Sequence, residues 1–180
     1  TGGDRRQGVK YEGEGLGLQE VDLDRQYSKD PVGDLYFPWV KGRDGCRTPM
    51  PWKAKSDGAG FTTGTPWLPI PDYHKVRAAD VQAGDGNSVL AHAKKVVALR
   101  KAHPALKFGD IRFLDTEGTV LAFTREGDGE RLLCVFNLGT EVVSYALPDG
   151  AGETVFELGA VKRVGNSLSL AARTGAILHA

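Results

Sequence analysis

The chain has 180 residues, 41% apolar and 26% charged, enough to bury a core without metals or disulfides. Lysine plus arginine equals aspartate plus glutamate, so no basic face marks a nucleic-acid or anionic-membrane partner. No apolar run nears the roughly 20 residues that a membrane-spanning helix requires.

The N-terminus, Thr1-Gly2-Gly3-Asp4-Arg5-Arg6, shows neither an initiator Met nor a signal-peptide pattern, so the sequence is expected to start inside a longer protein. Residues 1–10 contain only Val9 as an apolar residue, too little for a buried parallel strand. Gly13-Glu14-Gly15-Leu16-Gly17 lacks the G-x-G-x-x-G spacing and follows no strand pattern, so it reads as a loop rather than a phosphate site. Through residue 85 the chain is rich in proline and glycine, holds all three tryptophans and keeps no sustained period. Such a stretch is usually functional loops or lacks its scaffold.

Residues 87–103 predict the one convincing helix. Asn87 or Ser88 caps it, Val89, Ala93, Val96 and Val97 share a face, and Leu90 and Leu99 widen that stripe. Lys94, Lys95, Arg100, Lys101 and His103 crowd the later turns, where cations suit the helix dipole, and Pro104 ends it. The stripe is expected to cover a sheet or a barrel. From Ile111 onward short strands recur: Ile111–Asp115, Val120–Arg125, Arg131–Leu138, Val142–Leu147, Thr154–Leu158, Ser167–Ala171 and Ala176–His179. Glu117-Gly118, Gly127-Asp128-Gly129, Pro148-Asp149-Gly150 and Thr174-Gly175 supply turns, and the pattern predicts an antiparallel β-sandwich. Arg131–Phe136 is nearly all apolar, as a central strand covered on both faces should be.

Two cysteines make no disulfide framework, and free thiols suit a reducing cytoplasm. Cys46 lies in a Gly/Pro-rich loop and is expected to react readily, whereas Cys134 lies in the apolar strand and should not. His74, His92, His103 and His179 show no metal-ligand spacing, so neither a metal nor a cofactor is expected.

The most specific stretch is Gly42-Arg43-Asp44-Gly45-Cys46-Arg47-Thr48-Pro49-Met50-Pro51-Trp52. It resembles a loop of the oligo-1,6-glucosidases, α-glucosidases and sucrose-isomerising enzymes of glycoside hydrolase family 13, in the α-amylase superfamily. Neighbouring segments agree in order. Tyr11–Leu18 is similar to the end of that family's eighth barrel strand, with Glu12 in place of Gln and Gly15 in place of Glu. Phe37-Pro38-Trp39, Ala59-Gly60-Phe61-Thr62 and Pro66-Trp67-Leu68-Pro69 resemble the stretches around the loop, and Asn87 through Leu106 resembles helix eight and its exit. The resemblance implies that residues 1–104 are the end of a (β/α)8 catalytic barrel and residues 105–180 its β-sandwich domain C.

It also implies an intact enzyme that hydrolyses or transfers terminal α-linked glucose of short α-glucosides or maltooligosaccharides. The family's nucleophile, acid/base and stabilising carboxylate would all precede residue 1. Glu12, Glu14, Asp22 and Asp24 read instead as solvated loop charges, so no catalytic residue is named and the chain alone should be inactive, its partner being the missing N-terminal barrel. Arg47 corresponds to an arginine that holds the terminal glucose, a role a planar guanidinium suits; the bland alternative is a tie between the loop and barrel carbonyls. Arg43 and Asp44 read as a structural ion pair with each other. Trp39, Trp52 and Trp67 read as packing for the loop's own core, with sugar stacking the alternative. A stand-alone β-sandwich that binds carbohydrate or another partner without catalysis is the alternative to the enzyme.

Overall fold

A computed structural model describes residues 14–180, and its backbone contacts divide the chain into two compact units, Thr1–Lys95 and Val96–Ala180. The readings made on residues 1–13 lie outside the described residues.

The described part of the first unit is built from helical turns and loops without a strand. Its α-helices are short: α1 spans Pro31–Leu35, α2 Asp72–Lys75 and α3 Ala79–Ala83. Irregular backbone leaves many amides and carbonyls without ladder partners, and side chains must satisfy those that are buried. Hence the core mixes Leu16, Leu68, Ala59 and Ala78 with buried Asp30, Asp44, His74 and Gln82. Gln82 shows the principle: its amide donates to the Leu16 carbonyl (2.8 Å) and the Arg77 carbonyl (2.7 Å) and accepts from Leu90 N (3.0 Å).

Helix α4 spans Val89–Ala102, and Ser88 is its cap, its hydroxyl accepting from Ala91 N at 3.1 Å. The apolar stripe is not covered as its sequence led us to expect. No α4 residue is buried, and Val89, Val96 and Val97 are 42%, 39% and 52% exposed. Leu99 alone of the stripe packs on a core cluster, because α5, Ala105–Phe108, brings Ala105 and Leu106 onto the same cluster.

The second unit is an antiparallel sandwich. Strands β1 (Asp110–Leu114), β2 (Val120–Gly127), β3 (Glu130–Asn137), β5 (Thr154–Leu158) and β8 (Gly175–His179) form one sheet in the order β1-β2-β3-β8-β5. Strands β4 (Val143–Ala146), β6 (Val161–Val164) and β7 (Ser167–Leu170) form the other, in the order β4-β7-β6. Leu133 and Val135 of β3 and Ala176 and Leu178 of β8 meet Leu168 and Leu170 of β7 between the sheets. The alternate residues Leu132, Cys134 and Ile177 point to the opposite face, against Ala105 and Leu106. Strand β3 is thus covered on both faces, as its unbroken apolar run requires. Strand β6 was not foreseen. It pairs with β7 across a two-residue Gly165-Asn166 loop, with Gly165 at φ 58°.

Candidate substrate-binding loop

Each residue of the Gly42–Pro49 stretch has an identifiable place. Asp30 comes first, since it receives the loop. Its Oδ1 accepts from Val32 N (3.1 Å), capping α1, and Pro31 stands where a missing N–H costs nothing. Its Oδ2 accepts from the backbone N (2.9 Å) and the Nε (3.1 Å) of Arg43. The Arg43 guanidinium and amide hold the Asp30 carboxyl below its ordinary value. Gly42 lies at φ 69°, and a Cβ there would come within 2.9 Å of Gly33 Cα and 3.0 Å of Asp30 Cβ, so only glycine fits this crossing.

Asp44 answers from the other side. It is 3% exposed, and its Oδ2 accepts from Lys29 N and from Asp30 N (2.7 Å). Its Oδ1 has no hydrogen-bond partner among the described residues. Gly45 is seated on Val21: the Gly45 carbonyl accepts from Val21 N (3.0 Å), and a Cβ on Gly45 would stand 2.2 Å from the Val21 carbonyl oxygen. Asp44–Cys46 is one turn of 3₁₀ helix closed by Arg47 N donating to the Asp44 carbonyl at 2.9 Å.

Beyond the turn, Thr48 is buried with its hydroxyl 3.4 Å from His74 Nδ1. His74 Nε2 donates to the Gln19 carbonyl at 2.9 Å. Burial lowers the His74 pKa and keeps the ring neutral, so Nδ1 accepts from the threonine hydroxyl. Arg47 therefore sits between two anchored residues. It is itself half-buried, and among the described residues no hydrogen bond or ion pair engages its guanidinium.

Three expectations for this region are corrected. Arg43 does not pair with Asp44; it pairs with Asp30, because the Asp44 carboxylate faces backbone amides instead. The tryptophans do not pack a loop core: Trp39 is 89% exposed and Trp52 and Trp67 are each 48% exposed, the interior being filled by aliphatic residues and the polar anchors above. Cys46 is not an accessible loop thiol. It is buried in the turn, and burial, followed by the nearby Glu20 charge, raises its pKa. The buried anchors Asp30, His74 and Gln82 escaped the sequence reading. Asp30 had a visible signal, an Asp immediately before Pro at a helix start; His74 and Gln82 had none. Asp22 forms an exposed ion pair with Lys41. Among the described residues no group of three His, Cys, Asp or Glu is placed to hold a metal ion, and no helix is long and apolar enough to cross a membrane.

Comparisons with known proteins agree with one another. The family "Alpha amylase, catalytic domain" matches residues 5–109, and "Maltogenic Amylase, C-terminal domain" matches residues 111–170. A probable α-glucosidase of Rhizobium meliloti (strain 1021) is 48% identical over 138 residues, 77% of this chain and 25% of that protein. An oligo-1,6-glucosidase of Parageobacillus thermoglucosidasius is 34% identical over 125 residues, 69% of this chain and 22% of that protein. Among solved structures, the α-glucosyl transfer enzyme XgtA superposes with a TM-score of 0.82 at 42% identity, covering 94% of this chain and 32% of that one. The chain thus spans about a quarter of the length of the curated relatives it matches.

Proposed function

The chain belongs to the α-amylase family of glycoside hydrolases, family 13, and from that premise we propose that it is the C-terminal portion of a retaining α-glucosidase. Residues 1–104 end the (β/α)8 barrel with its eighth loop and helix, and residues 105–180 are domain C. The observation that carries this reading is the 48% identity to a probable α-glucosidase over 77% of the chain. The exposed stripe of α4, Val89, Val96 and Val97, is the face that the rest of the barrel covers.

The intact enzyme works on short α-glucosides or maltooligosaccharides. One carboxylate attacks the anomeric carbon while a second carboxyl protonates the leaving oxygen; water or a second sugar then resolves the glycosyl-enzyme, by hydrolysis or by transfer. Both carboxyl groups belong to earlier barrel strands, so this chain contributes recognition rather than bond cleavage. Arg47 is the substrate-binding residue: an anchored backbone, a guanidinium without a hydrogen-bond or ion-pair partner among the described residues and a fixed fork of donors suit sugar hydroxyls. The two free thiols suit a cytoplasmic location.

The test compares the 180-residue chain with the product of its full reading frame. The full product should release glucose from maltose or isomaltose and the chain alone should not. Saturable sugar binding by the chain alone, with no active longer product, would favour a stand-alone carbohydrate-binding module.

A further inference from the structure

The sandwich carries an open groove that the proposed function does not use. Its volume is about 500 Å³, and it is lined by the turn that follows β1 and by β4, which stand at the edges of their two sheets. Small-molecule sites occupy roughly 300–1,000 Å³. We propose that this groove is a non-catalytic binding site for a short, neutral, α-linked glucose oligosaccharide. The identity of the sugar rests on the reading of the intact protein as an α-glucosidase; the groove itself does not.

Both walls are held in place. Tyr145 of β4 lies in register with Leu168 of β7 and packs, half-buried, on the core cluster between the sheets, which fixes its ring. Burial raises the Tyr145 pKa, so the phenol stays a neutral hydroxyl that donates and accepts. On the opposite wall, Thr116 Oγ1 donates to the Val120 carbonyl at 2.6 Å, and Leu138 N donates to the Thr119 carbonyl at 2.9 Å. The turn bearing Asp115 and Glu117 is thereby tied to itself and to the end of β3. Yet the side chains of Asp115, Glu117, Ser144 and Tyr145 make no hydrogen bond or ion pair among the described residues. Other carboxylates of the sandwich are engaged: Glu126 lies 3.7 Å from Arg131, and Glu130 accepts from His103.

This lining selects its ligand. Two carboxylates with two hydroxyls supply many acceptors and few donors, the complement of a molecule rich in hydroxyl groups. Val120 and Tyr145 supply apolar contact for the C–H faces of a sugar ring. No Lys, Arg or His lines the groove, and its carboxylates repel anions, so a phosphorylated sugar does not suit it. A metal ion suits it little better, because among the described residues no group of three His, Cys, Asp or Glu is placed to hold one. A few hydrogen bonds on an open surface give a dissociation constant on the order of 1 mM.

The experiment titrates maltotriose and isomaltotriose into the 180-residue chain and follows backbone amide shifts by NMR. Saturable shifts should concentrate at residues 115–120 and 143–146. The double variant Asp115→Asn/Glu117→Gln changes only exposed side chains and should weaken binding about tenfold. Tyr145→Phe keeps the ring and its packing, and should weaken binding about three- to tenfold with the urea midpoint unchanged. If Tyr145→Phe lowers that midpoint, the double variant decides alone. No shift by either sugar up to about 20 mM, shifts confined to residues 14–95, or an affinity that the double variant leaves intact overturns the site. Saturation of the same amides by calcium chloride, without a sugar response, makes it a cation site and overturns the proposal too.

The full-length product separates this proposal from the reading it rests on. Glucose release by that product with no sugar at the groove overturns the site and keeps the α-glucosidase. Sugar at the groove without glucose release keeps the site and overturns the α-glucosidase.

Discussion

Two arginines four residues apart face opposite fates. Arg43 gives its Nε to the buried Asp30 carboxylate while its side chain stays 64% exposed, and the half-buried Arg47 guanidinium meets no partner among the described residues. Arg47→Lys keeps the charge and loses the planar fork. In the full-length enzyme it should cost about 1.5–3 kcal/mol of transition-state binding, roughly ten- to a hundred-fold in kcat/KM. The loss should shrink for analogues lacking the hydroxyl that Arg47 contacts, and the melting temperature should stay unchanged. A lowered melting temperature with every substrate affected alike would assign Arg47 to the fold instead. The motif made Arg47 legible as a candidate, but not the reasons for its neighbours. Asp44 stands beside Arg43 in sequence, which suggests a pair; yet adjacent side chains on a tight turn diverge, and buried amides fourteen and fifteen residues away won the carboxylate. Cys46 looked accessible for the same reason, because composition describes a loop and not which of its residues face inward.

The strands were more legible than the loops, since alternation reports burial directly while an irregular loop has no period to read. Seven strands were foreseen close to their observed positions. Strand β6 was missed because Val161-Lys162-Arg163-Val164 is short and mostly exposed, although the Gly165-Asn166 turn beside it was a usable hairpin signal. Helix α4 was legible in extent, and its amphipathic stripe misled only about what covers it within this chain. Its exit holds a bond that sequence could not show. At the start of β3, Glu130 accepts from His103 Nδ1 and, at 3.2 Å, from Ala105 N, tying the helix end to the sandwich. Burial alone would raise the Glu130 pKa, but the His103 and Ala105 hydrogen bonds outweigh it and the net shift is downward from 4.5. With the folded value depressed, the unfolded chain binds the proton first as pH falls. The contribution is complete above about pH 5 and drains away in more acid solution. Glu130→Gln should therefore cost about 1 kcal/mol at pH 7, with the gap from wild type closing as denaturation is repeated toward pH 3. A gap that persists unchanged in acid would assign the effect to packing rather than to the carboxylate.

At the scale of the whole chain, the two units differ in what holds them. Val96–Ala180 has a sandwich core between its sheets and a second cluster on the outer face, each residue of β3 bonded into a ladder. The described part of Thr1–Lys95 depends on a few hydrogen bonds made by the side chains of Asp30, Asp44, His74 and Gln82, mostly with scattered backbone groups, with Leu35, Trp39 and Val76 left exposed. Opening such a unit locally breaks a few bonds, whereas opening the sandwich breaks a ladder and exposes a core, so their local stabilities should differ. Trypsin reads that difference. Lys53, Lys55 and Lys75 lie in or beside loops and short turns, while Arg125 and Arg131 lie in paired strands. A protease needs several residues of extended, unpaired backbone, so the first cuts in the isolated chain should fall before Asn87. A resistant product that includes residues 105–180 should persist, identified by intact mass. Asp44→Ala should hasten the early cuts without shortening the lifetime of that product, because the bonds of Asp44 lie wholly within the first unit. Early cleavage at Arg125 or Arg131, before any cut at Lys53 or Lys55, would mean that the sandwich does not stand on its own core.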